Sequence, residues 1–232
     1  MDKFQLSDHQ PQVLEINDQL SVMTWNILKR CTYYEQPRKF FNNGFGIIET
    51  EYEYHVRLKK IASEIHTILV NDTTIKCIAL QEMPIESDLE LFKSCLSELL
   101  PNFSLITNKT QGFLFDKQYM TIEDRTSHLI SSIGKNPHKL QLINTTTPDG
   151  EIQFINIHLC WFKSYNTRLE ALKSIIRTLD SKAIILGDFN FNILDVEIDG
   201  VEKYAEPNTT LCNGENGIQN LQTCDGFLIY DR

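Results

Sequence analysis

Short apolar runs of strand length alternate with amphipathic stretches along the chain. Val13–Ile16 and Leu20–Trp25 are apolar or β-prone runs separated by Asn17-Asp18, which predicts a hairpin. Leu58, Ile61, Ala62, Ile65, Ile68 and Leu69 recur at three- and four-residue spacing, which predicts a helix over His55–Leu69. Cys77–Leu80 reads as a short buried strand. Ser87-x-x-Glu90 reads as a capping box opening a helix with Leu89, Phe92, Leu96 and Leu99 on one stripe. Strands are expected at Phe103–Ile106, Gly112–Phe115 and Leu140–Asn144. Pro148-Asp149-Gly150 then turns the chain into another over Ile152–Leu159. Leu169, Leu172, Ile175, Ile176 and Leu179 stripe a further helix, and Ala183–Leu186 is again a buried strand. Residues 30–54 and 195–220 read as long loops. Hairpins mixed with strand–helix alternation fit a layered α/β sandwich better than a purely parallel sheet.

Size and composition narrow the picture. With 232 residues and no repeat or linker, one domain over 1–232 is expected, large enough for a layered core. The apolar runs are too short to cross a membrane, and residues 1–20 lack a signal-peptide pattern, so a cytoplasmic setting is expected. The six cysteines have no C-x-x-C or finger-like spacing, which fits reduced thiols. The net charge of −9 and the lack of a basic stretch disfavour duplex DNA held by counterion release. A phosphate substrate remains compatible when a metal ion supplies positive charge.

The candidate chemistry falls at strand ends. Asn26 closes "SVMTWN", Gln81-Glu82 closes "CIALQE", and His158 lies late in "FINIHL". Asp188 and Asn190 follow "AIILG", and Asp225 opens "DGFLI". Each has a plain structural reading: a buried amide needing partners, a core histidine, a Gly-Asp turn. The set argues otherwise, because carboxylates and amides gathered at a sheet rim suit a hard cation such as Mg²⁺.

These motifs carry a resemblance. "MTWNIL", "LQEM", "INIHL", "GDFN" and "CDGFLI" resemble the successive motifs of the endonuclease/exonuclease/phosphatase superfamily, from Val22 to Ile229. The family more often has an aromatic residue where Gly226 stands. "NIHL" is unlike the apurinic-site endonucleases; "VMTWNIL" and "YHVRLKKIASEI" are more similar to the deadenylase, nocturnin and Angel branch. The resemblance implies a DNase I-like four-layer α/β/β/α sandwich. It also implies a Ser-Asp-His motif ahead of a last strand. Here that motif is Ser7-Asp8-His9, before the first motif, so a circular permutation is expected, with the family's last strand at the N-terminal side. Chance occurrence of the triplet and truncation of the family's ending are the alternatives.

By resemblance, Glu82 with Asn26 holds Mg²⁺ or Mn²⁺, and Asp8 reaches the metal shell. Asp188 activates water and Asn190 bonds the phosphate. His9, fixed by Asp225, and His158 contact the phosphate as well. Arg168 reads either as a phosphate contact or as a surface residue. Tyr33, Tyr34, Phe40, Phe41 and Phe45 read either as an aromatic lid or as a packed insertion. The expected activity is metal-dependent hydrolysis of a phosphodiester or phosphomonoester in a nucleotide or RNA-like substrate. The alternatives are an inositol-phosphate or phospholipid head-group phosphatase, or an inactive binding module of the same fold.

Overall fold

A computed structural model of the chain describes residues 6–28, 50–133, 139–161, 163–179, 181–207, 210–213 and 219–231. In chain order the elements are β1 (Gln12–Asn17), β2 (Leu20–Asn26), α1 (Glu51–Asn71), β3 (Ile75–Gln81), α2 (Glu86–Leu99), β4 (Phe103–Asn108) and β5 (Gln111–Asp116). Then follow β6 (Thr121–Asp124), α3 (Thr126–Ile133), β7 (Lys139–Thr147), β8 (Gly150–His158), α4 (Tyr165–Arg177) and β9 (Ala183–Asp188). The last are β10 (Val201–Tyr204), β11 (Thr210–Asn213), β12 (Gln219–Gln222) and β13 (Asp225–Tyr230).

Two mixed sheets face each other, a five-stranded one ordered β1-β2-β3-β5-β4 and a six-stranded one ordered β10-β13-β9-β8-β7-β6. Three apolar layers follow from the two-residue side-chain period. Leu20, Val22, Cys77, Ala79 and Phe113 of the first sheet meet Phe154, Ile184, Leu186 and Phe227 of the second. On the outer face of the first sheet, Met23, Trp25, Ile78 and Leu80 pack against Leu58, Ile61, Ile65, Phe92 and Leu96 of α1 and α2. On the outer face of the second, Ile155, Ile157, Ile185 and Leu228 pack against Leu129, Leu172, Ile175 and Ile176 of α3 and α4. The expected four-layer α/β/β/α sandwich is therefore what forms.

Each sheet holds one parallel pair, β2–β3 and β8–β9, joined by the crossover helices α1 and α4. Their carboxyl ends share one rim of the sandwich. Antiparallel β13 starts at that rim, with Asp225 opposite Asp188. Antiparallel β1 also starts there, pairing with β2 through the Asp18-Gln19 turn that the Asn17 side chain caps at Gln19 and Leu20 N–H.

Some local expectations fail. Ser87 does not cap α2: the first helical bond, from Leu89 N–H to the Ile85 carbonyl, closes a turn that already contains Ser87. The capping box is at α1 instead, where Thr50 accepts from Glu53 N–H and Glu53 accepts from Thr50 N–H. The stretch 195–220 is no plain loop: it carries β10 and the β11–β12 ribbon. The aromatic residues Tyr33, Tyr34, Phe40, Phe41 and Phe45, and Cys31, lie outside the described residues. Cys77, Cys95, Cys160 and Cys224 form no disulfide.

Candidate active site

Between the sheets, side chains grade from apolar to amide to charged along the strands. On β8 the inward positions run Ile152, Phe154, Asn156, His158; on β2 they run Leu20, Val22, Thr24, Asn26. The charged end is the shared rim. His158 pairs in register with Asp188, and Asn26 with Gln81, so the parallel registers alone align the ends of "NIH", "GD", "WN" and "LQ".

Two residues reach the site through left-handed backbone. Strand alternation would turn Glu82 away from the gap that Gln81 faces. At φ 54° Glu82 leaves the strand geometry, and its carboxylate accepts from Asn26 Nδ2 at 3.4 Å. Asn190, at φ 55°, folds back so that its N–H meets Asp188 Oδ1 at 2.8 Å and its side-chain amide donates to the Leu159 carbonyl. Gly187 allows this approach: at φ 141°, a Cβ there would lie 2.0 Å from the Ile157 carbonyl oxygen.

Asp8, His9, Asn26, Glu82, His158, Asp188, Asn190 and Asp225 meet here. Asn26 Nδ2 donates to Asp188 Oδ2 at 3.1 Å, linking the sheets. His158 Nε2 is 3.6 Å from Asp188 and 3.8 Å from Glu82. His9 Nδ1 sits 2.7 Å from Asp225 Oδ2, and His9 Nε2 points to Asp8 at 3.7 Å and Asp188 at 3.9 Å. Burial opposes charge on His9, but the carboxylates of Asp225, Asp8 and Asp188 outweigh it and raise its pKa well above the ordinary 6.5. Burial pushes the Asp188 carboxyl up, with Asp225 adding to the rise and the two histidines opposing it. Burial likewise raises Asp8, against the pull of His9.

Arg168 stands elsewhere. Its Nη1 donates to the Trp161 and Lys163 carbonyls at 2.8 Å, and its guanidinium lies over the Phe191 ring. It is half-buried and braces the loop after β8.

Four side chains support the site from its margins. Thr210 Oγ1 donates to Asp225 Oδ2 at 2.6 Å, the same oxygen that faces His9. Ser7 Oγ donates to the Asn26 carbonyl, and Trp25 Nε1 to the His9 carbonyl. Arg57 of α1, 8% exposed, donates to the carbonyls of Leu6, Ile27 and Leu28, clamping the segments that carry His9 and Asn26. Arg57 stands within "YHVRLKKIASEI", yet periodicity marks only the apolar face of that helix.

No family profile and no curated protein sequence matches the chain. Solved structures do. TDP2 of D. rerio, complexed with a single-strand DNA product, aligns over 93% of this chain and 85% of its own, with TM-score 0.59 and 12% identity. An endonuclease/exonuclease/phosphatase family protein from Bacteroides thetaiotaomicron aligns over 95% and 84%, with TM-score 0.56 and 16% identity. The fold is DNase I-like. A truncated TDP2 of Caenorhabditis elegans shares it as well, over 91% of this chain and 84% of its own, with TM-score 0.54 and 15% identity.

Within this DNase I-like rim the donor set fits a hard divalent cation. Carboxylates of Asp8, Glu82, Asp188 and Asp225 converge on two histidines, and Asp225 Oδ1 is buried without a hydrogen-bond partner among the described residues. Exposure decides which oxygens a hydrated ion can reach. The side chains of Asp8 and Glu82 are 24% and 17% exposed, whereas Asp188 and Asp225 are at 2% and 1%. His9, Asp188 and Asp225 also bring ligand atoms within 4.8 Å of one another. Within that trio His9 Nδ1 is hydrogen-bonded to Asp225 Oδ2 at 2.7 Å, while Asp188 Oδ2 stands 3.9 Å from His9 Nε2. At Gly226, Ile193 Cδ1 and Tyr204 O would each lie 2.6 Å from a Cβ: the 193–204 stretch fills that space.

Proposed function

We propose that the chain is a divalent-metal-dependent phosphoesterase, one domain over 1–232, that hydrolyses a phosphate ester of a nucleotide or RNA-like substrate. One observation carries the reading: carboxylate, amide and imidazole groups from both sheets converge at the rim, with Asn26 bonded to Glu82 and to Asp188. The single-strand DNA product bound by the D. rerio neighbour supports a nucleic-acid-like substrate. The net charge of −9 favours a small or single-stranded one over duplex DNA.

Glu82, Asn26 and Asp8 would hold Mg²⁺ or Mn²⁺, which supplies positive charge to the non-bridging phosphate oxygens. Asp188 orients a water and takes its proton as the oxygen attacks phosphorus; burial makes it a stronger base than an ordinary carboxylate. The P–O bond to the leaving group breaks as the new one forms. His9, kept cationic by Asp225, neutralises charge on the phosphoryl oxygens, and His158 and Asn190 donate to them. We also propose that the chain is circularly permuted within its family. The β1–β2 hairpin and the His9–Asp225 pair, 216 residues apart in sequence, support this.

The test compares wild type with His9→Ala on single-stranded RNA, phosphorylated nucleotides and bis(p-nitrophenyl) phosphate, with Mg²⁺ and with EDTA. Wild type should hydrolyse at least one of them only with metal, and folded His9→Ala should lose ~100-fold or more in rate. Hydrolysis that survives EDTA refutes the metal. Unchanged activity in His9→Ala refutes the role of residue 9 and the permuted arrangement. Binding without turnover by wild type leaves a binding module instead.

A further inference from the structure

Immediately below the charged rim, amides stand between the sheets, whereas Val22, Ala79, Phe154, Ile184 and Leu186 fill the middle of that layer. Asn156, Gln81 and Thr24 are fully buried, and Gln111 is 1% exposed. Asn156 belongs to the second sheet, but all of its side-chain bonds go to the first. Its Nδ2 donates to the Leu80 carbonyl at 3.0 Å and the Gly112 carbonyl at 3.1 Å. Its Oδ1 accepts from Gln81 Nε2 at 2.8 Å and Gln111 Nε2 at 3.3 Å. Gln111 Nε2 also reaches the Asn156 backbone carbonyl at 2.9 Å, and Gln81 Nε2 bonds Thr24 Oγ1 at 3.0 Å.

Placement in sequence gives the layer its meaning. Asn156 lies two residues before His158, Thr24 two before Asn26, and Gln81 immediately before Glu82. Asn156, Thr24 and Gln81 thus each lie within two residues, along their own strands, of a group of the rim. An apolar layer would hold the sheets together equally well, because burial is non-directional, but it tolerates lateral slip. Hydrogen bonds with fixed donor and acceptor positions do not. The rim contacts across the sheets include Asn26 to Asp188 at 3.1 Å, His158 to Glu82 at 3.8 Å and His9 to Asp225 at 2.7 Å.

We infer that Asn156 is the central positioning residue of the site. Through Gln81, Gln111 and the Leu80–Gly112 carbonyls it sets the register of one sheet on the other, and so the spacing of the groups of the rim. The inference rests on the phosphoesterase reading for its kinetic readout and on geometry alone for its structural one. The amides add direction rather than bulk stability. Replacing all of them with apolar groups of similar size therefore leaves no orphaned amide side chain and spares the fold, whereas removing one partner orphans the others.

The experiment uses the full chain carrying Asn156→Leu, Gln81→Leu and Gln111→Leu together. Its crystal structure should show the Asn26–Asp188 and His158–Glu82 contacts altered by about 1 Å, with melting close to wild type. On bis(p-nitrophenyl) phosphate with Mg²⁺, kcat should fall about tenfold or more while KM stays nearly constant, as misplaced reacting groups require. Unchanged rim contacts overturn the inference, whatever the activity, and so does a wild-type kcat in a folded triple variant. If the triple variant does not fold, Gln111→Met decides. It removes one strut and should shift the same contacts and lower kcat by a smaller factor; wild-type values for both refute the role. If wild type hydrolyses nothing, the phosphoesterase reading falls while the rim contacts still decide the inference.

Discussion

Replacing Asp225 by asparagine removes one charge from the His9–Asp225 pair and little else. The new side chain has the same shape and can still accept from Thr210 and from His9. What is lost is the charge assistance in the 2.7 Å bond to His9 Nδ1, in a pair whose side chains are 9% and 1% exposed. A hydrogen bond to a charged group contributes roughly 1.5–3 kcal/mol and a neutral one roughly 0.5–1.5, so Asp225→Asn should cost about 1–2 kcal/mol. For a chain of this length that lowers Tm by roughly 2–8 °C. Asp8 and Asp188, at 3.7 and 3.9 Å from Nε2, still favour the cation, which keeps the loss from being larger.

The pH dependence separates this account from a generic packing defect. The folded pKa of His9 is raised, so its ionic contribution is complete below the ordinary value of 6.5 and disappears as pH rises through the raised folded value. The Tm gap between wild type and Asp225→Asn should thus be widest near pH 6 and shrink as pH rises through the raised folded value of His9. Differential scanning fluorimetry across that range reads it directly. A gap that stays constant, or widens on the alkaline side, would falsify the claim that His9 is held as a cation. Hydrolysis should fall by roughly tenfold or more, because a ring held less firmly as a cation stabilises phosphoryl charge less well.

Two further outcomes follow from single contacts. Gly187→Ala should cost about 3 kcal/mol or more, since its Cβ would lie 2.0 Å from the Ile157 carbonyl oxygen at a φ of 141°; urea denaturation tests this, and a wild-type midpoint would rule it out. Arg57→Met keeps the apolar stem but orphans the carbonyls of Leu6, Ile27 and Leu28, and should cost about 2–4 kcal/mol. The same change should loosen the segments holding His9 and Asn26. Faster amide exchange at residues 7–9 and 26–28 than in α4 would report that, and uniform exchange would argue against it.

Much of this molecule is local information. The two- and three-to-four-residue periods of apolar side chains place β2, β3, β8, β9, α1 and α4 within a few residues, because burial on one face is a demand each segment meets by itself. Polar groups at the ends of those strands mark the rim in advance, since nothing but a site or a solvated edge tolerates them there. Weak local signals misled: Ser87 resembles a cap, yet helix entry was decided by the turn starting at Ile85, and β6, β10, β11 and β12 are too short to show a period. What the tertiary structure alone decided is everything that depends on pairing. Strand register set Asp225 opposite Asp188, and the hairpin carried His9 across 216 residues to meet it. Left-handed backbone at Glu82 and Asn190 aimed side chains that strict alternation would send elsewhere. The amides of Gln81, Gln111 and Asn156 read singly as ordinary polar residues; only sheet-on-sheet packing makes them partners. Contacts between segments distant in sequence follow from how two sheets stack, and no local pattern encodes that geometry.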